Sequence, residues 1–137
     1  MSSAPSLGPL HQVALACADL PRAIAFYRDA LGLRLIAQFD PPGLAFFALG
    51  ETTRLLLERD ATAKPGGAVL YFRVADVLAA HSALADRGVA FDQPPHAIHH
   101  DADGTFGARG ETEWMAFFRD PDGNVLALAA RVPAPPA

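Results

Sequence analysis

Cysteine is nearly absent from this 137-residue chain. Cys17 stands alone, so no intrachain disulfide can brace the fold. It lies in an apolar run, where a thiol behaves as a small hydrophobe. No apolar stretch approaches the roughly 20 residues that a membrane span requires. Met1–Pro9 has no basic segment followed by an apolar one, so no signal peptide is expected and a cytoplasmic location is the default. Positive charge is scarce as well: the formal net charge is -4, which argues against a nucleic-acid-binding surface. No phosphate loop can be assembled. "DADGTFGARG" (Asp101–Gly110) spaces its glycines at intervals of three, but no Lys-Ser/Thr pair follows and no helix starts there. No Ser-His-Asp set for nucleophilic catalysis can be put together either.

What the chain does have is apolar surface. Hydrophobic residues make up 51% of it, enough for one packed domain. Ser, Pro and Ala dominate both ends, so residues 1–9 and 132–137 read as disordered tails around a domain at 10–131.

Within that domain one unit is written twice, at about 10–60 and 67–131. "QVALACADLPRAIAFYRDALGL" begins at Gln12 and "VLYFRVADVLAAHSALADRGV" at Val69. Each opens with an apolar strand and places an Asp seven positions on, at Asp19 and Asp76. An Asp before an apolar-periodic run is a helix N-cap signal. Leu20, Ile24, Tyr27 and Leu31 form one helical stripe, with Val77, Ala80 and Leu84 as its counterpart. Gly32 and Gly88 then end the helices. Three strand-like stretches follow in each half: Leu33–Phe39, Leu44–Leu49 and Arg54–Glu58, then Val89–His100 (broken by Pro94-Pro95), Glu113–Arg119 and Val125–Ala130. The fold class is therefore α+β: two βαβββ modules forming a curved mixed sheet around a concave groove, with the helices outside. Such a groove suits a small molecule.

On these residues the chain resembles the vicinal oxygen chelate superfamily, which includes glyoxalase, bleomycin-resistance proteins and extradiol dioxygenases. The matching stretches are "HQVALACADLPRAIAFYRDALGL", "AVLYFRVADVLAAHSALADRGVAF" and "WMAFFRDPDGNVLALAA". The enzymes of that family hold a metal with His and Glu on the first and last strand of each module. The resemblance puts those four positions on Gln12, Leu56, Val69 and Ala127. His11 is one residue early and, by strand alternation, points to the other face. Glu58 shares a face with Leu56. One amide and three apolar side chains offer a divalent ion none of its usual donors, so neither metal nor cofactor is expected. The resemblance then implies a metal-free, drug-sequestering kind of protein that forms a homodimer and binds a small-molecule ligand.

Alternation names the groove wall: Gln12, Ala14 and Ala16; Arg54, Leu56 and Glu58; Val69, Tyr71 and Arg73; Val125, Ala127 and Ala129. Arg73 is either an inward charge that needs a partner, with Glu58 as one candidate, or an exposed rim residue. In "PPHAIHHDADGTFGARGETEW", alternation places His96, Ile98 and His100 on one face and His99 on the other. With Glu111 or Glu113, His96 and His100 are candidates for an improvised metal or acid-base site; the alternative is a set of solvated hairpin residues. His96 and Trp114 are expected to touch ligand, because family members with a similar "PPH…W" stretch place it beside the groove. Trp114, Phe46 and Phe47 divide between ligand stacking and core packing. His81 reads as a surface residue of the second helix, and Phe106 as the apolar anchor of a flexible loop that could close like a lid. The ligand-contact set is thus Gln12, Leu56, Tyr71, Arg73, His96, Trp114 and Ala127. An atypical-metal or metal-independent enzyme of the same superfamily is the alternative function.

Overall fold

The computed structural model describes residues 7, 9–62, 64 and 66–134. The tails expected at 1–9 and 132–137 fall mostly outside these residues. The chain divides into two compact units, Met1–Lys64 and Pro65–Ala137. In the first, β1 (Gln12–Cys17) leads to α1 (Leu20–Ile24), which continues as a π-helical segment (Ala25–Ala30) before β2 (Leu35–Phe39), β3 (Leu44–Leu49) and β4 (Thr53–Arg59). The second runs β5 (Val69–Arg73), α2 (Val77–Asp86), β6 (His96–Asp101), β7 (Glu111–Arg119) and β8 (Val125–Val132). Each unit holds one four-stranded mixed sheet, in the orders β1-β4-β3-β2 and β5-β8-β7-β6. The β1/β4 and β5/β8 pairs are parallel and the others antiparallel. This is the α+β, twice-repeated βαβββ arrangement.

Local chemistry sets both helices. The carboxylate of Asp19 accepts from the Arg22 N–H at 3.0 Å, and that of Asp76 from the Ala79 N–H at 3.0 Å. Each satisfies a first-turn donor that the helix cannot. Gly32 (φ 77°) and Gly88 (φ 91°) supply the left-handed backbone that turns the chain away.

Under α1 the first core gathers Leu15 and Cys17, Leu20, Ile24 and Tyr27, Phe47, Leu55 and Leu57, all buried. Tyr27 packs on Phe47 with ring centroids 5.8 Å apart, so Phe47 is a core residue. In the second unit Val77, Val89, Ala116, Phe118, Leu126, Leu128 and Ala130 are buried. His81 is half-buried rather than a surface residue. Its ring lies 4.3 Å from that of Phe91, which in turn meets Phe118 at 5.2 Å.

Two strand expectations need correction. β6 begins at His96, not Val89, because Pro94 and Pro95 have no N–H to give a ladder; upstream only Phe91 makes an isolated bridge, to Phe118. β8 runs on to Val132, which pairs with Thr112, so the expected tail starts inside a strand.

Candidate functional site

In each sheet one face lies under the helix and the other is open. Alternation sends Gln12, Ala14, Ala16, Arg54, Leu56 and Glu58 to the open face of the first unit, as their neighbours Leu15, Cys17, Leu55 and Leu57 fill the core. Gln12 pairs in register with Arg54, and Ala14 with Leu56. Arg54 occupies the Gln12 amide: its Nε donates to Gln12 Oε1 at 3.1 Å. Its Nη2 lies 3.0 Å from His11 Nε2, and its guanidinium sits 5.6 Å from the Phe46 ring centroid. Phe46 therefore belongs to the open face, opposite Phe47, and meets Phe39 edge-on at 6.1 Å. Leu56 is buried between Ala14 and Phe46.

In the second unit the register aligns three rows across the open face. One is Tyr71, Ala127 and Phe117; the next is Arg73, Ala129, Met115 and His96; the third is Arg131, Glu113 and His99. The first row explains why β8 carries no acid at its centre. Tyr71 and Phe117 meet edge-to-face at 6.1 Å, and Ala127 between them is fully buried. Only a small side chain fits there. Val69 and Tyr71 remain substantially exposed.

The third row contains the feature that the sequence reading missed. Arg131, next to the expected tail, turns back onto the sheet. Its Nη2 donates to Asp101 at 2.6 Å and its Nε to Glu111 at 2.8 Å; its Nη1 lies 3.7 Å from Glu113 Oε2, too far for a hydrogen bond. Asp101 is almost wholly buried. Burial opposes its charge, but donation from the Phe106 N–H (2.9 Å), from Arg131 and from the Thr105 N–H (2.7 Å) outweighs it and lowers the carboxyl to about 2. The loop expected to be a flexible lid is thus tied to the sheet through one carboxylate. Gly107 lets the loop lie close to this guanidinium, since a Cβ there would stand 3.0 Å from Arg131 Nε. Phe106 projects from this loop, 69% exposed, with the His99 ring edge-on at 5.9 Å. An arginine two residues beyond Ala129 in an otherwise apolar strand, facing a hairpin with four acids, was the available signal.

A β-bulge between Ala97 and His99 reverses the expected assignment of histidines to faces. His96 pairs with Met115 and His99 with Glu113, so both take the open face. His100 pairs with Thr112, with its Nδ1 3.2 Å from the Thr112 hydroxyl, on the other face. His100 and Glu113 therefore do not converge, and the improvised site of His96, His100 and Glu113 is not assembled. Among the described residues no three His, Cys, Asp or Glu side chains gather where they could hold a metal ion.

Depressions of similar size mark the second unit. Arg73, Phe106, Glu113, Ala129, Ala130 and Arg131 line one of about 230 Å³. His96 and Phe117 line another with Asp92 and Gln93, about 200 Å³. Trp114 lines a third, about 220 Å³, beside Val77, Leu78 and Val132 at the start of α2. Tyr71, Arg73 and His96 thus share a sheet face, whereas Trp114 lies on the opposite one. Glu58 lies in the first unit and Arg73 in the second, and among the described residues neither side chain makes a hydrogen bond or ion pair.

Comparisons with known proteins converge on one family. The sequence model of the Glyoxalase/Bleomycin resistance protein/Dioxygenase superfamily matches residues 9–128. An uncharacterized protein of Bacillus subtilis (strain 168), YraH, is 29% identical over 135 residues, covering 87% of this chain and 95% of its own. A glyoxalase/bleomycin resistance protein/dioxygenase from Nocardioides has the same fold, with a TM-score of 0.72 at 20% identity, covering 98% of this chain and 91% of its own. TnmS3, an antibiotic binding protein from Streptomyces sp. CB03234, has a TM-score of 0.69 at 29% identity, covering 93% of this chain and 99% of its own.

Proposed function

The chain belongs to the glyoxalase/bleomycin resistance protein/dioxygenase superfamily, and we propose that within it the protein binds an apolar or aromatic small molecule on its open sheet faces without a divalent metal. One observation carries this reading: what stands at the four positions where the family's enzymes place ligands. The Gln12 amide oxygen is engaged by Arg54. Leu56 and Val69 are hydrocarbon, and Ala127 lies buried beneath Tyr71 and Phe117. Zinc, nickel, manganese and iron need imidazole, carboxylate or thiolate donors, which these residues do not provide. The metal-binding family pattern therefore does not fit this chain. Exposed Phe39, Val69, Tyr71 and Phe106 supply apolar surface of the kind small-molecule sites use. The likeness to an antibiotic binding protein points the same way. The alternative, an enzyme working through His96, His100 and Glu113, loses its support because the bulge separates His100 from Glu113.

The protein we propose is a cytoplasmic homodimer. Four edge strands, two in each sheet, leave backbone groups that a second copy would cover. No helix among the described residues is long and apolar enough to cross a membrane.

Metal analysis of protein purified without chelators, followed by thermal shift against a panel of aromatic compounds, tests the reading. Metal is expected well below one ion per chain. An aromatic ligand at a hundred times its Kd stabilises by about 2.7 kcal/mol, a rise of several degrees in Tm. One equivalent of zinc, nickel, manganese or iron per chain would overturn the proposal. So would turnover of a glutathione hemithioacetal that EDTA abolishes.

A further inference from the structure

The depression between the second and third rows of the second unit is unlike the rest of the open face. Its floor is Ala129, whose single methyl leaves room for a ligand. The Tyr71–Phe117 pair borders it on one side through the neighbouring row, and Phe106 on the other. Three charged side chains line it, Arg73, Glu113 and Arg131. The Arg73 side chain makes no hydrogen bond or ion pair among the described residues. The Glu113 side chain is three-quarters buried, makes no hydrogen bond among the described residues, and has only Arg131 Nη1 at 3.7 Å. Its carboxylate oxygens are therefore open to a donor that a ligand brings. Arg131 gives Nη2 and Nε to Asp101 and Glu111 and so braces the loop, while its buried Nη1 makes no hydrogen bond and lies on the Glu113 side of the depression.

The charges decide what kind of partner fits. A ligand carboxylate would suit Arg73 but would face Glu113, Glu111 and Asp101. A ligand ammonium would suit Glu113 but would face Arg73 and Arg131. A neutral group that both donates and accepts satisfies Arg73 and Glu113 together at no cost in charge. On an aromatic molecule, the simplest such group is a phenolic hydroxyl: its O–H donates to Glu113, and its oxygen accepts from Arg73.

Building on the proposal that the open faces bind aromatic ligands, we infer that this depression selects hydroxylated aromatic rings, with Arg73 and Glu113 recognising the hydroxyl and Phe106 lying against the ring. Naphthol, its methyl ether and naphthoate serve as probes, titrated by calorimetry against the full chain and against Glu113→Ala, Glu113→Gln and Arg73→Ala. Naphthol is un-ionised at neutral pH, and its ether has the ring but no donor. Naphthol should bind about tenfold more tightly than the ether, the worth of one good hydrogen bond to a charged group. Glu113→Ala should bring that ratio near unity by weakening naphthol binding, with an unchanged far-ultraviolet circular dichroism spectrum showing that the variant is folded. Glu113→Gln, which keeps an acceptor, should retain part of the preference, and Arg73→Ala should weaken naphthol binding more than ether binding. Equal affinity for naphthol and ether, or a naphthol preference that survives Glu113→Ala, overturns the hydroxyl assignment and leaves the apolar binding reading intact. Naphthoate binding most tightly, with its advantage lost in Arg73→Ala, replaces the assignment with an anion site. If none of the three binds, the open-face reading fails and this inference fails with it.

Discussion

Replacing Ala127 by glutamate would restore, at one of the four family positions, the residue type that related enzymes use there. The cost can be worked from the surroundings. Ala127 is fully buried, flanked across the sheet by Tyr71 and Phe117, whose rings stand 6.1 Å apart and nearly perpendicular. Two further carbons and a carboxyl must either part those rings or remain under them. Overpacking of this kind costs about 1–3 kcal/mol. A carboxyl without donors adds about 1–3 kcal/mol. Tyr71 is half-exposed, which gives the new head group a partial escape toward water. We therefore expect a net loss of about 2–4 kcal/mol, or roughly 6–16 °C in Tm for a chain of this size. Burial raises the new carboxyl above its unfolded value of about 4.3. A raised carboxyl costs stability as pH climbs through that shifted value, so the deficit should be larger at pH ~7.5 than at pH ~4.5. Ala127→Gln has nearly the same size but does not titrate, so its deficit should not change with pH in this way. Thermal and urea unfolding, followed by fluorescence of Trp114, the sole tryptophan, read both effects. An Ala127→Glu variant as stable as the parent at both pH values would mean that position 127 does not lie beneath Tyr71 and Phe117, and that β8 is one residue out of register.

Other outcomes follow from the same structure. Asp101, held down at about 2 against 3.8, contributes stability that is complete above about pH 4 and is lost as pH falls toward 2. Asp101→Asn should lower Tm at pH 7 and expose the Phe106 loop to limited proteolysis, and its deficit should shrink as pH falls through that window. A deficit that stays constant down to pH ~2 would show that the carboxylate does not hold the loop. Light scattering at micromolar concentration should give twice the 14.5 kDa of one chain, and the single-chain mass would refute the dimer.

How much could be read in advance depended on how local each cause was. Asp19 and Asp76 cap helices through donors three residues away, and both were legible. Leu44–Leu49 was found with its bounds because a turn before it and a Gly after it are sequence marks. Alternation assigned Tyr71, Arg73 and Ala127 to one face, as the strand register has them. Joining Trp114 to Tyr71 came from the resemblance, not from alternation. β6 defeated the method because alternation counts residues, and the bulge after Ala97 adds one to the count. No residue type near Ile98 announces it. Arg131 escaped for a different reason. Its partners Asp101 and Glu111 lie 30 and 20 residues away, and only the closed sheet brings them within reach.

The parallel pairing that places β1 beside β4 and β5 beside β8 also bears on how the chain folds. Gln12 meets Arg54 across 42 residues and Val69 meets Val125 across 56, whereas β2, β3 and β4, like β7 and β8, are joined by short turns. Closing those two long loops differs in entropic cost by only ~0.3 kcal/mol, because the cost grows with the logarithm of length. The two halves thus face nearly matched search problems. In each, the antiparallel meander can form from neighbours in sequence, while the opening strand must return from afar to dock at its edge. On sequence separation, the strands expected to dock last are β1 and β5, which carry Gln12, Val69, Tyr71 and Arg73. A kinetic intermediate with its meanders formed would therefore have native-like sheets, yet neither open face would be complete enough to hold a ligand.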